Sequence, residues 1–146
     1  MTSAIAQAKT SDEVVGFLQD LFARCGAEAY LGESVTMAEH MLQAAALAER
    51  SGADDEVVVA ALLHDIGHFH DELTEVFALK HDNKHQEHGA TALAAWFPPI
   101  VAECVGGHVA AKRYLCSVDR EYFEALSPAS VHTLELQGGP MEKAEA

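Results

Sequence analysis

Residues 61–68 read ALLHDIGH, and three of those side chains, His64, Asp65 and His68, can bind a metal ion or move a proton. The stretch before them, Val57 to Leu63, is unbroken apolar sequence and reads as a buried helix. The three polar residues stand where that helix should stop. Polar groups beside a core cost free energy unless something satisfies them, and a metal ion would satisfy these. Adjacent helical residues lie about 100° apart, so His64 and Asp65 can reach one cavity only at a helix end or a distortion.

The chain carries nine histidines, and five of them fall at helix ends or inside apolar helices: His40, His64, His68, His85 and His108. A lone helical histidine is more often an ordinary hydrogen-bonded residue than a ligand. Four of them together with an HD pair on helices reverse that expectation. His108 follows Gly106-Gly107, which lets a backbone or a ligand approach closely. Imidazole with carboxylate suits iron, manganese or zinc, and a histidine-rich set with carboxylate is usual for non-haem iron. An aspartate between two ions can bridge them. His70, His81, His88 and His132 read as solvated or accessory, with His88 a candidate to stand behind the ligands.

The elements that must position these groups are helical almost throughout. A first helix is predicted over about 11–25, with Ser11 as N-cap and Val14, Val15, Phe17, Leu18, Leu21 and Phe22 as its apolar face. Thr36 and Glu39 form a capping box that opens a second helix running to about Arg50, with Gly52 as the stop. Asp54 or Asp55 caps the third, which ends near His64-Asp65. Residues 69–84 are polar and irregular and read as a loop or lid. His85 to Trp96 is helical, and a long helix spans about 99–117, weakened at its centre by the two glycines. Ser127-Pro128 starts a last helix that ends at Gly138-Gly139-Pro140. No strand-length alternation occurs, so the fold class is all-α and the expected organisation is one domain over 1–146.

Formal net charge is −14, which excludes general binding to nucleic acid or an anionic membrane and leaves room for a small anion at a local basic spot. The three cysteines, Cys25, Cys104 and Cys116, are odd in number and widely spaced, so they read as small core residues in a reduced cytoplasm. No apolar run approaches the ~20 residues of a membrane span. The N-terminus has acidic residues where a signal peptide would be apolar. The pattern names no oligomeric state.

Ordered motifs add a resemblance. H…HD…H…H on helices is the signature of the HD-domain superfamily, known for metal-dependent phosphohydrolases. Here Y-L-G-E-x-V-T-x-x-x-H (30–40), A-A-L-L-H-D-I-G-H (60–68), H-x-x-x-G-A (85–90), H-V-x-A-K-R-Y-L (108–115) and L-S-x-A-S…L-x-L-Q-G-G-P-M (126–141) together look like one subgroup. It is the HD-domain mixed-valence di-iron oxygenases of the PhnZ type, which cleave the carbon–phosphorus bond of 1-hydroxy-2-aminoethylphosphonates. The resemblance implies an HD-domain helical bundle, two iron ions as Fe(II)/Fe(III), dioxygen as co-substrate and a small organophosphonate as substrate, either the primary amine or its trimethylammonium analogue. It implies that His40, His64, Asp65, His85 and His108 bind the irons, with Asp65 bridging. His68 would lie beside the substrate or oxygen site, and Tyr30 would occupy an iron position until substrate arrives. Glu33 would meet the cationic nitrogen, with Tyr30, Phe69 and Tyr114 as candidate aromatic neighbours. Lys112, Ser130 and Gln137 would hold the phosphonate.

The spacing agrees with part of this assignment. Lys112 lies four residues after His108 and shares its helix face, and Ser130 and Gln137 are two helical turns apart. The family places its last iron ligand, an aspartate, in a further helix beyond Q-G-G-P-M, and it has no counterpart before Ala146. The rival readings are a two-metal HD phosphohydrolase acting on a phosphoester or nucleotide, and a non-catalytic metal-binding module.

Overall fold

Residues 8–30, 32–70 and 84–146 are described by the computed structural model, and all regular structure among them is helical. The helices are α1 (Ser11–Cys25), α2 (Met37–Arg50), α3 (Asp55–Leu63), α4 (His85–Leu93), α5 (Pro99–Val118), α6 (Arg120–Glu124) and α7 (Pro128–Leu136), with a 3-10 segment at Ile66–His70. An isolated antiparallel bridge joins Ala29 and Thr36. The all-α expectation holds. No helix among the described residues is long and apolar enough to cross a membrane.

Local signals set most boundaries. Thr36 and Glu39 close the expected capping box, and α2 ends at Arg50 with Gly52 at φ +77° just beyond. The cap of α1 is Thr10 and not Ser11. The reason is Glu13: it lies three residues after Thr10 and returns a carboxylate to that residue's N–H, whereas the residue three after Ser11 is Val14, which cannot. Asp54 is the α3 cap, without a side-chain hydrogen bond. Helix α4 stops at Leu93, three residues short of Trp96, and α5 runs unbroken through its two glycines. Gly106 faces Ala90 of α4, where a Cβ would lie 3.3 Å from the alanine methyl, so the glycine serves helix contact. The five-residue α6 is absent from the sequence reading. Of the expected loop 69–84, Phe69 and His70 complete the 3-10 segment, and 71–83, including His81, lie outside the described residues.

The core forms around α3, which packs between α2 and α5, while α4 packs on α5 and on the 3-10 segment. Its buried residues are Leu21, Met37, Met41, Ala60, Leu63, Ile66, Leu93, Val101 and Val105. After its acidic first turn, helix α3 is apolar on nearly every side, and it buries Ala60 and Leu63. Gly67 lets the chain turn directly onto α4, because a Cβ there would meet the His85 carbonyl oxygen at 2.0 Å. The glycine of HDIGH is therefore what allows two metal-ligating candidates, His68 and His85, to share one site.

Candidate metal centre

Asp65 is 2% exposed and is the hub of the site. Helix α3 stops at Leu63, so His64 caps it and Asp65 turns off its axis, which resolves how adjacent residues reach one cavity. Asp65 Oδ2 lies 3.1 Å from the Nε2 atoms of both His40 and His64. Its Oδ1 lies 3.0 Å from His85 Nε2, 3.4 Å from His108 Nε2 and 3.9 Å from His68 Nε2. The two oxygens of one carboxylate thus face two separate sets of imidazoles. Within each set the nitrogens converge: His40 and His64 Nε2 are 3.0 Å apart, as are His85 and His108 Nε2.

The tautomers follow from the backbone. His64 Nδ1 donates to the Ala61 carbonyl and His108 Nδ1 to the Val105 carbonyl, each at 2.7 Å. When these rings are neutral, both Nε2 atoms turn lone pairs inward. Asp65 Oδ2 is buried and engages no hydrogen bond of normal geometry despite its short distances to nitrogen. Lone pairs that converge on a buried carboxylate oxygen with no aligned N–H call for a cation. Two ligand groups have donor atoms all within 4.8 Å of one another: His40, His64 and Asp65, and Asp65, His68 and His85. The donor set fits a metal pair.

The electrostatics agree. Burial works against charge on Asp65, but His64 first, and then His108 and His40, hold its pKa well below the usual carboxylate range. Burial would lower His64, and the Asp65 carboxylate reverses the direction and raises it. His68 is pushed down to about 4, by burial first and then by His85, so it is neutral at neutral pH. Tyr30 is pushed well above the ordinary phenol value by burial, with Asp65 and Glu33 adding, so it keeps its proton.

The histidine–aspartate cluster forms one end of a cavity of about 380 Å³. Tyr30 stacks on His40 with ring centroids 3.9 Å apart, and His68 stacks on His85 at the same distance. Lys112, Ser130 and Gln137 line the wall, as does Thr133, which the sequence reading missed. Thr133 Oγ1 lies 3.5 Å from Lys112 Nζ. Its spacing, three after Ser130 and four before Gln137, puts it on their helix face and was the available signal. The rest of the wall is mostly apolar and includes Leu115, Tyr122, Leu126 and Leu136. Tyr122 was also missed, and nothing in REYFE marks it.

Other candidates sit elsewhere. Glu33 stands behind the wall, where its carboxylate accepts from the Ser127 hydroxyl and from Ser130 Oγ at 3.4 Å. Phe69 packs edge-on against Phe22, and Tyr114 is 44% exposed, so the cavity's aromatic members are Tyr30 and Tyr122. His88 and His132 are exposed, which removes His88 from behind the ligands.

With this geometry in hand, the HD domain family model matches residues 37–131. The chain is 53% identical over 134 residues to the [1-hydroxy-2-(trimethylamino)ethyl]phosphonate dioxygenase (glycine-betaine-forming) of Leisingera caerulea, covering 90% of this chain and 68% of that protein. It is 46% identical over 149 residues to the hydroxymethylphosphonate dioxygenase of Gimesia maris, covering 99% of this chain and 73% of that protein.

Proposed function

This chain belongs to the HD-domain family, among its PhnZ-type oxygenases, and on that premise we propose that it uses dioxygen to cleave the carbon–phosphorus bond of 1-hydroxy-2-(trimethylamino)ethylphosphonate, yielding phosphate and glycine betaine. The observation that carries the reading is one cavity joining Asp65 and its histidines to Lys112 and Gln137. C1 goes from a secondary alcohol to a carboxylate, a four-electron oxidation that one dioxygen accounts for. A metal cofactor and dioxygen belong to this activity, and we assign the metal as an iron pair. His40 and His64 would hold one ion, His85 and His108 the other, and Asp65 would bridge them. Once bound, the pair supplies dioxygen activation.

The protein's own residues bind and orient. The Lys112 ammonium is assigned to the phosphonate, a charge-assisted contact, with Ser130, Thr133 and Gln137 beside it. Gln137 would present its amide N–H donors to the phosphonate, whose oxygens accept. His68, neutral above about pH 4, can accept the hydrogen bond of the substrate's C1 hydroxyl. Tyr30, kept protonated, covers His40 and must yield to substrate. The buried Asp65 and His85 back the end of the cavity where C1 would be oriented, which limits water at the reacting carbon.

The trimethylammonium is favoured over the primary amine by the far wall. A primary ammonium carries three N–H donors and needs acceptors. The wall offers a single acceptor, the Tyr122 hydroxyl, among three leucines, while Glu33 is already engaged by two hydroxyls. A quaternary ammonium needs no acceptor and takes an aromatic face.

The test is phosphate release from this substrate by protein purified with iron(II), with and without dioxygen. Oxygen-dependent phosphate together with glycine betaine is expected. Oxygen-independent phosphate from a phosphoester, with none from the phosphonate, would replace the reading by a hydrolase.

A further inference from the structure

Beside Lys112, on the same turn of α5, Arg113 is built into the fold rather than solvated, with its side chain 18% exposed. Its Nε donates to the Gly139 carbonyl at 2.9 Å, and its own carbonyl accepts from Met141 N–H at 3.0 Å. Its Nη2 reaches both carboxylate oxygens of Glu145, at 3.0 and 3.2 Å. The guanidinium also lies against the turn it binds: a Cβ at Gly138 would sit 3.4 Å from Arg113 Cζ and Nη2, at a backbone φ of +106° that only glycine adopts readily. Gln137, the residue before that turn, lines the cavity on the wall shared with Lys112.

We propose that Arg113 is a positioning residue: by clamping the Gly138-Gly139 turn onto α5 it sets the distance between Lys112 and Gln137, and so shapes the end of the cavity that grips a tetrahedral phosphorus anion. Lys112 lies on α5 and Gln137 caps α7, whose last turn buries Leu134, and the clamp ties the turn that follows Gln137 to α5. Lysine cannot replace it, because a single ammonium does not reproduce the planar fork that engages a carbonyl and a carboxylate at once. The inference rests on the phosphonate reading of the cavity and is separable from the reaction.

The test uses the full chain loaded with iron and an unreactive probe, methylphosphonate, with binding followed by calorimetry and melting temperature recorded in parallel. Arg113→Ala should weaken methylphosphonate about tenfold, and Arg113→Lys should restore less than half of that loss. Gln137→Ala should weaken it also. In the double variant, removing Arg113 should add less than about twofold, since the arginine acts through Gln137. Fully additive losses, or a lower melting temperature with unchanged affinity, would overturn the proposal. Failure of the unaltered protein to bind methylphosphonate would overturn the anion site and the clamp together. Binding and clamp behaviour as expected, without turnover of the trimethylammonium substrate, would leave the clamp standing and sink only the reaction.

Discussion

The two ends of the cavity are built by different means. At the proposed metal end, the candidate ligands His40, His64 and His108 are flanked by core. His40 neighbours Met41 (0% exposed) on α2, His64 follows Leu63 (1%), and His108 precedes Val109 and lies one turn after Val105. At the substrate end, α6 has no buried residue and α7 only Leu134. That end is held instead by polar ties: Ser127 and Ser130 to Glu33, and Arg113 to Gly139. Packing fixes a side chain closely because a dense interior tolerates little displacement. Hydrogen bonds at a half-exposed wall hold more loosely and allow substrate to enter. The metal end should therefore respond to substitution in metal content, and the substrate end in KM.

The largest effect should come from Asp65→Asn. The amide keeps the shape but loses the charge and one of two acceptor oxygens, so neither imidazole set retains its shared anion. Metal content should fall below one ion per chain, and turnover should drop by more than the ~10–100-fold typical of residues standing behind the ligands. Metal analysis beside a phosphate assay checks this. Two ions retained would break the claim that this carboxylate joins both halves of the cluster.

Next in size is Lys112→Ala. A hydrogen bond to a charged group contributes about 1.5–3 kcal/mol, so kcat/KM should fall by roughly 10–100-fold. The loss should appear mainly in KM, with iron content unchanged. A loss of iron would show that the two ends are one unit and dissolve the contrast between them.

Tyr122→Ala should be smaller and selective. A cation over an aromatic face is worth about 0.5–2 kcal/mol, so kcat/KM for the trimethylammonium substrate should fall by roughly 3–30-fold. Hydroxymethylphosphonate, which has no ammonium, should lose almost nothing. An equal loss for both compounds would mean that Tyr122 merely shapes the wall.

The same contrast explains what was legible in the sequence. His40, His64, Asp65, His68, His85 and His108 were legible as candidates because few side-chain types bind metals, and the structure brings all six to one cavity. Helices α2 and α5 were readable from a capping box and from a proline-led apolar run. The substrate end was readable only in part. Lys112, Ser130 and Gln137 came from motifs, while Tyr122 reaches the wall, and Ser127 reaches Glu33, through tertiary contacts that no local pattern announces. Ser127 meets Glu33 from 94 residues away. Helix α6 is one turn long, too short for a hydrophobic period, and Thr10 displaced Ser11 as a cap only because of where a carboxylate three residues on could reach.

The finest test sets two helix caps against each other. Thr36 caps α2, the helix of His40, and its hydroxyl accepts from Glu39 N–H at 3.2 Å. Ser127 caps α7, accepting from Ser130 N–H at 3.0 Å, and also donates to Glu33. Either residue changed to alanine should cost about 1 kcal/mol of stability, visible as a similar fall in melting temperature. Their kinetics should differ. Around His40, Met37 and Met41 stay buried and Tyr30 stays stacked, so Thr36→Ala should leave KM unchanged. Ser127→Ala frees Glu33 and removes a partner of Ser130, which lines the cavity, so it should raise KM by only a few-fold, because Ser127 itself does not line the cavity. Equal KM values for the two variants would mean that the substrate end is as firmly packed as the metal end. A raised KM for Thr36→Ala alone would mean that the ligand helix, and not the wall, is the looser part.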